Sequence, residues 1–328
     1  MKLTVIIPVY NGSRTIISCL ESLRMQTFQD FKILIIDDGS SDDSKLIIHK
    51  YLTTNQNLSA TLIQQSNKGV AEARNTGIKL ADTDYTTFID QDDYIAPDYF
   101  ENYINAIEKS AADIICGGYQ RINITTHKII KTVKLSPNPW SKFIVVAPWA
   151  HFYKTDFVQK NTIKFLNTGI GEDVYFTLIA YSYTNKIFTI PDIGYYWVNN
   201  PKSHSNSNQK KIQEAINPFI FLNALINDLP KPNKIDKDFL EYFLYRYIIW
   251  YILYTVRKTP WNIIKVQYTK LIQWLDHYFP DFNRNQLISL FTPAGEPFSI
   301  RLTVWGFNLL YNCHLILPLL RILAIKLK

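Results

Sequence analysis

Short apolar runs alternate with segments of helical periodicity over residues 1–120. The apolar runs predict strands at residues 3–7, 32–36, 61–64, 85–89 and 113–116. Apolar residues three and four positions apart predict intervening helices at 13–25, from 41 or 42 to 51, at 70–80 and at 97–107. Because alternating helices and continuously apolar strands are typical of a parallel sheet covered on both faces, we predict an α/β fold with a mostly parallel sheet flanked by helices.

The second half of the chain has a different pattern. Residues 125–148 contain three prolines and predict a loop-rich crossing, and 172–181 predict a helix. Residues 199–209 are polar and predict a mobile loop. Further helices are predicted at 212–226, 237–256 and 263–278 and in the tail. We therefore predict a domain at 1–209 and a largely helical region at 210–328, where the aromatic stripe at 242–254 favours core packing or a dimer interface over a sugar platform.

Composition narrows the class of protein. The chain has 328 residues, 47% of them hydrophobic and 19% charged, as expected of a folded protein with one large α/β domain and a smaller part. Three widely separated cysteines form no disulfide framework and no metal-binding spacing, and the N-terminus does not resemble a signal peptide. We expect a cytoplasmic protein. The net charge of +7 lacks the Lys/Arg runs with interleaved aromatics that indicate nucleic-acid binding.

Carboxylates follow two of the predicted strands. Asp37 and Asp38 end the second strand, and Asp90, Asp92 and Asp93 end the fourth. Functional groups of parallel sheets lie beyond the carboxyl ends of the strands, and clustered carboxylates repel one another unless a cation is present. The Asp-x-Asp spacing suits Mg²⁺ or Mn²⁺ held partly by phosphate oxygens. A solvated acidic turn is the alternative, which the second Asp pair disfavours.

The third predicted helix opens with Asn67, Lys68 and Gly69, and carries Arg74 one turn further on. A glycine allows a ligand to approach the backbone closely. Lys68 and Arg74 would offset the charge of a bound phosphate; the alternatives are a solvated surface charge or an ion pair with the Asp cluster.

Four motifs occur in a fixed order: Ile-Pro-Val-Tyr-Asn at 7–11, Asp-Asp-Gly-Ser at 37–40, Asn-x-Gly-x-x-x-Ala-Arg-Asn-x-Gly at 67–77 and Asp-Gln-Asp-Asp at 90–93. Together they resemble the signature of the family 2 glycosyltransferases, which have the GT-A fold, over residues 1 to about 205. The resemblance implies an inverting hexosyl- or N-acetylhexosaminyltransferase that uses a UDP-sugar donor and Mn²⁺ or Mg²⁺.

The resemblance also implies roles for individual residues. Asp38 would accept a hydrogen bond from uracil, Asp92 would bind the metal at the donor diphosphate, and Asp90 would lie near the ribose and the metal. The remaining residues of the implied donor site are Pro8, Val9, Tyr10, Asn11, Asp37, Asn67, Lys68, Arg74 and Gln91.

On the acceptor side, Glu172-Asp173 matches the family's Glu-Asp pair, which implies that Asp173 is the general base. Compensation of the helix dipole is the alternative. The stretch at 148–154 is similar to a family Trp-Asn-Lys-Leu-Tyr-Lys segment, with Ala150 and His151 replacing Asn and Lys. Lys202 would replace an arginine that closes over the donor, and His204 would be a third metal ligand.

The tail at 301–328 is basic and apolar but is interrupted by polar residues, so we expect peripheral membrane contact rather than a spanning helix. That location suits a glycan or lipid-linked oligosaccharide acceptor at the inner face of the cell membrane, as in the assembly of a bacterial capsule or exopolysaccharide. An ordinary core helix or an oligomer contact, such as a homodimer, is the alternative.

Three other classes share parts of the pattern. A receiver domain also gathers Asp residues at strand ends, but has no place for the 200 or so residues that follow the motifs here. A sugar nucleotidyltransferase needs a Gly-rich basic loop, which Pro8-Val9-Tyr10-Asn11 is not. A catalytically decayed glycan- or nucleotide-binding relative remains the alternative function, although Asp38, Asp92 and Asp173 are present.

Overall fold

A computed structural model describes residues 1–199, 217–256 and 259–326. The chain forms two compact units. The first comprises Met1–Pro137, Val145–Asn199 and Pro218–Lys234, and the second contains Asn138–Ile144 and the described residues from Ile235 onward. The predicted domain boundary at 209/210 and residues 200–209 of the predicted polar loop lie outside the described residues.

Eleven strands are described, all in the first unit: β1 (Leu3–Val9), β2 (Phe31–Asp37), β3 (Ala60–Gln64), β4 (Tyr85–Phe88), β5 (Tyr94–Ile95), β6 (Ile114–Cys116), β7 (Tyr119–Asn123), β8 (Ile129–Val133), β9 (His151–Lys154), β10 (Ile187–Thr189) and β11 (Tyr195–Asn199). Seven of them form a sheet in the order β10-β6-β9-β4-β1-β2-β3, in which only β9 is antiparallel to its neighbours. A smaller sheet has the order β5-β11-β7-β8.

The helices of the first unit are α1 (Ile16–Arg24), α2 (Ser44–Thr54), α3 (Val70–Leu80), α4 (Tyr99–Ser110), α5 (Thr155–Lys160), α6 (Glu172–Tyr183) and α7 (Pro218–Asp228). The described helices of the second unit are α8 (Lys237–Thr255), α9 (Trp261–Tyr278), α10 (Phe298–Asn312) and α11 (Ile316–Lys326). The predicted α/β fold, with a mostly parallel sheet flanked by helices and a helical C-terminal region, is confirmed.

Three details of the prediction were wrong. Helix α2 begins at Ser44 rather than at Ser41 or Asp42, because the backbone N–H groups of those two residues donate to Asn11 Oδ1. Helix α1 begins at Ile16 rather than at Ser13, because the backbone N–H of Ser13 donates to the Asp42 carboxylate and Ser13 belongs to the turn that precedes the helix. Within the predicted loop at 125–148, β8 pairs antiparallel with β7. Its side chains are mostly exposed, so no alternation of polar and apolar residues marks it as a strand.

The sheet brings three motif-bearing strand ends to one edge. Strand β1 lies between β2 and β4 and is parallel to both, with Val9 opposite Asp37 and Ile6 opposite Phe88. The residues that follow these strands therefore lie near one another at the carboxyl edge of the sheet, where parallel α/β sheets hold their ligands.

The second unit has an aromatic core. Tyr242, Tyr245 and Tyr251 of the predicted aromatic stripe are buried within it, whereas Trp250 is exposed. Among the described residues, no single helix is both long and apolar enough to cross a membrane. Helices α10 and α11 have the length and apolar composition of a spanning segment only when they are taken together, and they are bent by 118° relative to each other.

Candidate active site

Side-chain amides connect the ends of β1, β2 and β4. The Gln91 side chain accepts from the backbone N–H of Tyr10 and donates to the Tyr10 carbonyl, both at 3.0 Å. Asn11 Oδ1 accepts from the backbone N–H of Ser41 at 2.8 Å. Gln91 thus holds the first strand end against the fourth, a contact that sequence reasoning did not anticipate for a residue predicted to bind the donor.

The carboxylates at the end of β2 organise the start of α3. Asp38 is buried; Oδ1 accepts from the side chain of Gln65 at 2.7 Å and the backbone N–H of Lys68 at 2.9 Å, and Oδ2 accepts from Gly69 at 2.7 Å. Gly69 has a φ of 91°, which a residue with a side chain rarely adopts. Asp37 accepts from the backbone N–H of Ser40 at 3.0 Å. The predicted contact of Asp38 with uracil stays a prediction.

The other residues predicted to line the donor site differ in accessibility. Pro8 and Val9 are buried in β1. The exposed members, whose side chains are accessible to a ligand beyond the strand ends, are Tyr10, Asn11, Asn67 and Lys68.

Arg74 lies at the centre of the site. Its Nη1 donates to Asp173 Oδ1 at 2.7 Å and its Nη2 donates to Asp90 Oδ1 at 2.8 Å. The Arg74 side chain is only 4% exposed, whereas the side chains of Asp90 and Asp173 are 28% and 32% exposed. One buried guanidinium therefore joins the Asp-x-Asp turn to the predicted base, while both carboxylates remain accessible.

The charges of this cluster shift one another's pKa. Burial opposes the charge of Arg74, but Asp173 and Asp90 outweigh burial and raise its pKa. Burial raises the pKa of Asp173 to about 7; Arg74 opposes the increase, and Glu172 and Asp90 add to it. Burial and the nearby Asp90 raise the pKa of Asp92 to about 6. Such shifts are typical of functional sites, where carboxylates crowd together before a ligand binds.

Asp173 is positioned by the segment that precedes α6. Gly171, which caps α6, has a φ of 81°, and a Cβ at this position would lie 2.7 Å from the ring of Phe221 on α7. Further back, the Asn75 side chain exchanges two hydrogen bonds with the backbone of Phe165, at 2.8 and 2.9 Å. Asn75 belongs to the third motif, but its partner Phe165 lies 90 residues away, so no local signal in the sequence predicts this link.

Asp93, to which sequence reasoning gave no role, connects the Asp-x-Asp turn to β11. Its buried carboxylate accepts from Tyr195 Oη at 2.7 Å and from the backbone N–H of Val198 at 2.8 Å. The Tyr195 hydroxyl in turn accepts from the backbone N–H of Asp90 at 3.3 Å. This link holds the backbone of Asp90 in place.

The remaining predicted residues lie elsewhere. His151 is buried in β9, where its Nε2 is 2.8 Å from Tyr181 Oη, so it belongs to the core. Lys202 and His204 lie outside the described residues. Among the described residues, no group of three or more His, Cys, Asp and Glu side chains is arranged to hold a metal ion. The metal contacts predicted for Asp90 and Asp92 stay predictions.

A mostly parallel sheet with polar residues gathered at its carboxyl edge is typical of α/β proteins that bind a ligand at the strand ends, nucleotides among them. The model of glycosyl transferase family 2 matches residues 4–170, and the chain belongs to this family. The family resemblance of the four motifs is thereby confirmed.

Several curated bacterial proteins are similar to this chain. The chain is 29% identical over 204 residues to glycosyltransferase GlyA of Streptococcus pneumoniae, covering 57% of this chain and 29% of that protein. It is 31% identical over 206 residues to a poly(ribitol-phosphate) beta-glucosyltransferase of Bacillus spizizenii, covering 60% and 32%. The chain thus spans about a third of the length of these relatives.

A solved structure resembles almost the whole chain. The S. aureus TarS fragment 1–349, crystallised in complex with UDP-GlcNAc, superimposes with a TM-score of 0.73 at 21% identity, covering 96% of this chain and 92% of that chain. At this identity the likeness shows a shared fold, and the predicted GT-A fold is confirmed.

Proposed function

We propose that this protein transfers a sugar from a UDP-sugar to a hydroxyl group of a bacterial surface glycan. The observation that carries the proposal is the Arg74 bridge, which joins Asp90 of the donor motif to Asp173 of the acceptor motif through contacts of 2.8 and 2.7 Å. Membership of glycosyl transferase family 2 supports the reaction class.

The reaction is a single displacement with inversion. Asp173 takes the proton from the acceptor hydroxyl as that oxygen forms a bond to the anomeric carbon. The bond from the anomeric carbon to the donor diphosphate breaks, and its electron pair leaves with the diphosphate. Two properties of Asp173 support this role: its side chain is partly exposed, and its raised pKa of about 7 suits a base near neutral pH.

Asp92 and Asp90 fit a divalent cation, Mn²⁺ or Mg²⁺, that is shared with the donor. The raised pKa of Asp92 reflects burial beside a second carboxylate, an arrangement that a cation relieves. Such an ion would stabilise the charge of the departing diphosphate. Asp90 and Asp92 would supply part of its coordination, and phosphate oxygens of the donor and water would supply most of the rest, as is usual for Mg²⁺.

The donor occupies the carboxyl edge of β1, β2 and β4. Arg74 acts there as a positioning residue for Asp90 and Asp173 rather than as a phosphate ligand, since it is buried and contacts both carboxylates. The residues we propose around the nucleotide are Pro8, Val9, Tyr10, Asn11, Asp37, Asp38, Asn67, Lys68 and Gln91. Outside the described residues, Lys202 would close over the donor and His204 would be a third metal ligand.

The acceptor is a glycan or lipid-linked oligosaccharide at the inner face of the cell membrane. A polymeric acceptor is supported by one relative, which is named a poly(ribitol-phosphate) beta-glucosyltransferase.

A donor panel tests the proposal. UDP-glucose, UDP-galactose, their N-acetyl forms, and GDP- and dTDP-sugars are each added with and without Mn²⁺ while the melting temperature is measured. We expect one UDP-sugar to raise the melting temperature in a metal-dependent way. Asp92→Asn should abolish the metal dependence, whereas the control Asp84→Asn, which removes an exposed carboxylate of the same unit, should keep it. No response to any nucleotide sugar would contradict the proposal and favour a decayed relative.

A further inference from the structure

Helix α10 carries a row of large apolar side chains on its outer face. The row consists of Phe298, Leu302, Trp305 and Leu309, each of which keeps between 38% and 58% of its surface exposed. Their spacing of four, three and four residues places them on one side of an α-helix. Exposed apolar residues are common singly, but a continuous row on one helix indicates a contact surface.

The opposite face of α10 is held by the second unit. Val304 and Phe307 are buried. Asn308 accepts from Tyr245 Oη at 3.2 Å and donates to the carbonyl of Asn283 at 3.0 Å. These contacts set the rotation of α10 about its axis, so the apolar row faces outward as part of the folded structure.

Helix α11 repeats the arrangement. Its buried side chains are Ile316, Leu320 and Ala324, and its exposed apolar side chains are Ile322 and Ile325, with Leu315 directly before the helix. The two groups recur at helical spacing, so each marks one face of the helix. Both terminal helices of the unit therefore combine an anchored face with an apolar outer face.

The charge of this region indicates what covers it. Residues 297–328 contain Arg301, Arg321, Lys326 and Lys328 and no Asp or Glu. An apolar face accompanied only by cations is complementary to an anionic lipid surface, in which the apolar side chains enter the boundary between head groups and acyl chains. A surface that binds another protein usually includes acidic residues, and residues 297–328 contain none.

The geometry favours helices that lie in the plane of the membrane surface. The 15 residues of α10 extend over about 22 Å, less than the roughly 30 Å of a hydrocarbon core. The bend of 118° between α10 and α11 prevents the pair from acting as one longer helix.

We infer that the outer faces of α10 and α11 form a docking surface for an anionic phospholipid bilayer. This surface is defined by Phe298, Leu302, Trp305, Leu309, Leu315, Ile322 and Ile325 together with Arg301 and Arg321. It adds a residue-level binding site to the proposed membrane location and rests on none of the chemistry at Asp173.

Vesicle co-sedimentation of the full chain tests the inference. The probes are vesicles of phosphatidylglycerol and of phosphatidylcholine, at low and high salt. The test variant is Leu302→Ser/Trp305→Ser/Leu309→Ser. The control is Leu46→Ser/Ile129→Ser/Ile130→Ser, which removes three exposed apolar side chains from the first unit. A second variant, Arg321→Glu, changes the charge at an exposed position and leaves the buried face intact.

We expect the wild type and the control to bind phosphatidylglycerol vesicles. The affinity of the apolar-row variant for these vesicles should be lower by about tenfold. The charge variant should lose most of the preference for the anionic lipid. Equal binding by the wild type and both test variants, or equal binding of the wild type to both lipids, would overturn the inference. So would a wild-type dimer that becomes monomeric in the apolar-row variant while neither binds vesicles, because the surface would then join two copies of the chain.

Membrane docking and sugar transfer can fail separately. The melting-temperature shift caused by the UDP-sugar should be the same in the apolar-row variant as in the wild type. A variant that has lost this shift has lost its fold or its donor site, and the charge variant then decides the membrane question.

Discussion

Each of the two units contains a buried arginine that bonds to carboxylates, and the two networks differ in whether those carboxylates are exposed. In the second unit, Arg246 Nη1 donates to both carboxylate oxygens of Glu296, at 3.0 and 2.9 Å, and Nη2 donates to the carbonyl of Phe143 at 3.1 Å. Glu296 is fully buried and also accepts from Trp140 Nε1 at 2.8 Å. All the oxygens of this network are turned into the protein.

The Arg74 network of the first unit is open. Its guanidinium is as buried as a core residue, but about 30% of each partner carboxylate, on Asp90 and Asp173, remains exposed. The Arg246 network is closed, because its carboxylate is buried and can only stabilise the fold. The Arg74 network leaves charged oxygens available to a ligand. The comparison separates a structural ion pair from a candidate catalytic one, and the variants below test it.

The largest expected effect is on catalysis at Asp173. Asp173→Asn should lower kcat by about a thousandfold, because the acceptor loses its general base, while the donor-induced rise in melting temperature persists. Release of UDP with a glycan acceptor measures the rate. The control Asp156→Asn alters an exposed acid and should leave kcat unchanged. Retained turnover in Asp173→Asn would remove Asp173 from the mechanism.

Glu296 should matter for stability instead. Glu296→Ala leaves Arg246 without its carboxylate and Trp140 Nε1 without its acceptor, which should lower the free energy of unfolding by ~3 kcal/mol. Urea denaturation measures the change. Asp276→Ala, an exposed position in the same unit, should change it by less than ~0.5 kcal/mol. Similar values for both variants would show that the Arg246 network does not stabilise the unit.

Exchanging each arginine for lysine sharpens the comparison. Arg74→Lys should lower kcat on the order of tenfold to a hundredfold, because one ammonium group cannot hold both Asp90 and Asp173 in the geometry of a guanidinium. The Michaelis constant for the donor should change less. Arg246→Lys should lower stability without changing the kcat of the folded enzyme. Equal effects of the two exchanges on kcat would contradict the distinction between open and closed networks.

The pH dependence of kcat/KM should reveal the base. Because burial raises the pKa of Asp173 to about 7, the carboxyl is partly protonated at neutral pH and becomes an effective base only above it. The rate should therefore fall as pH drops below about 7, by up to about tenfold per pH unit, and level off above it. A flat profile from about pH 5.5 to 8.5 would contradict the assignment.

The smallest effect is expected at Tyr195. Tyr195→Phe removes the hydroxyl that donates to Asp93 and accepts from the backbone of Asp90, at a cost of about 1 kcal/mol. Donor affinity should fall a few-fold as the Asp-x-Asp turn loosens. Calorimetric titration of the donor measures this change, with Tyr94→Phe, a partly exposed neighbour, as the control. Unchanged affinity would show that Asp93 serves the fold alone.

Much of the first unit could be predicted because its signals are local. The buried strands β1 and β2 are largely apolar runs, and the motifs that follow β1, β2 and β4 were found by residue type and spacing. Strand β8 was missed because its exposed side chains show no alternation, so only its backbone pairing with β7 defines it. The start of α1 was misplaced because the partner of Ser13, the Asp42 carboxylate, lies 29 residues away.

The sequence predicted which residues belong to the site better than it predicted the contacts between them. Arg74 was left between a phosphate contact and an ion pair with the Asp cluster, and the structure pairs it with Asp90 and with Asp173, which is 99 residues away. Gln91 was assigned to the donor, yet it bonds to the backbone of Tyr10. Such contacts depend on how separate elements pack at the sheet edge, and no local pattern records that.

The sequence by itself therefore determined the family, the alternation of strands and helices over residues 1–120, and the residue types at the strand ends, because periodicity and motif spacing are properties of short segments. Only the tertiary structure decided which carboxylates share Arg74, that Asp93 holds Tyr195, and which faces of α10 and α11 remain exposed. Burial and ion pairing arise between residues far apart in the chain, and their physical effects exist only once those residues meet.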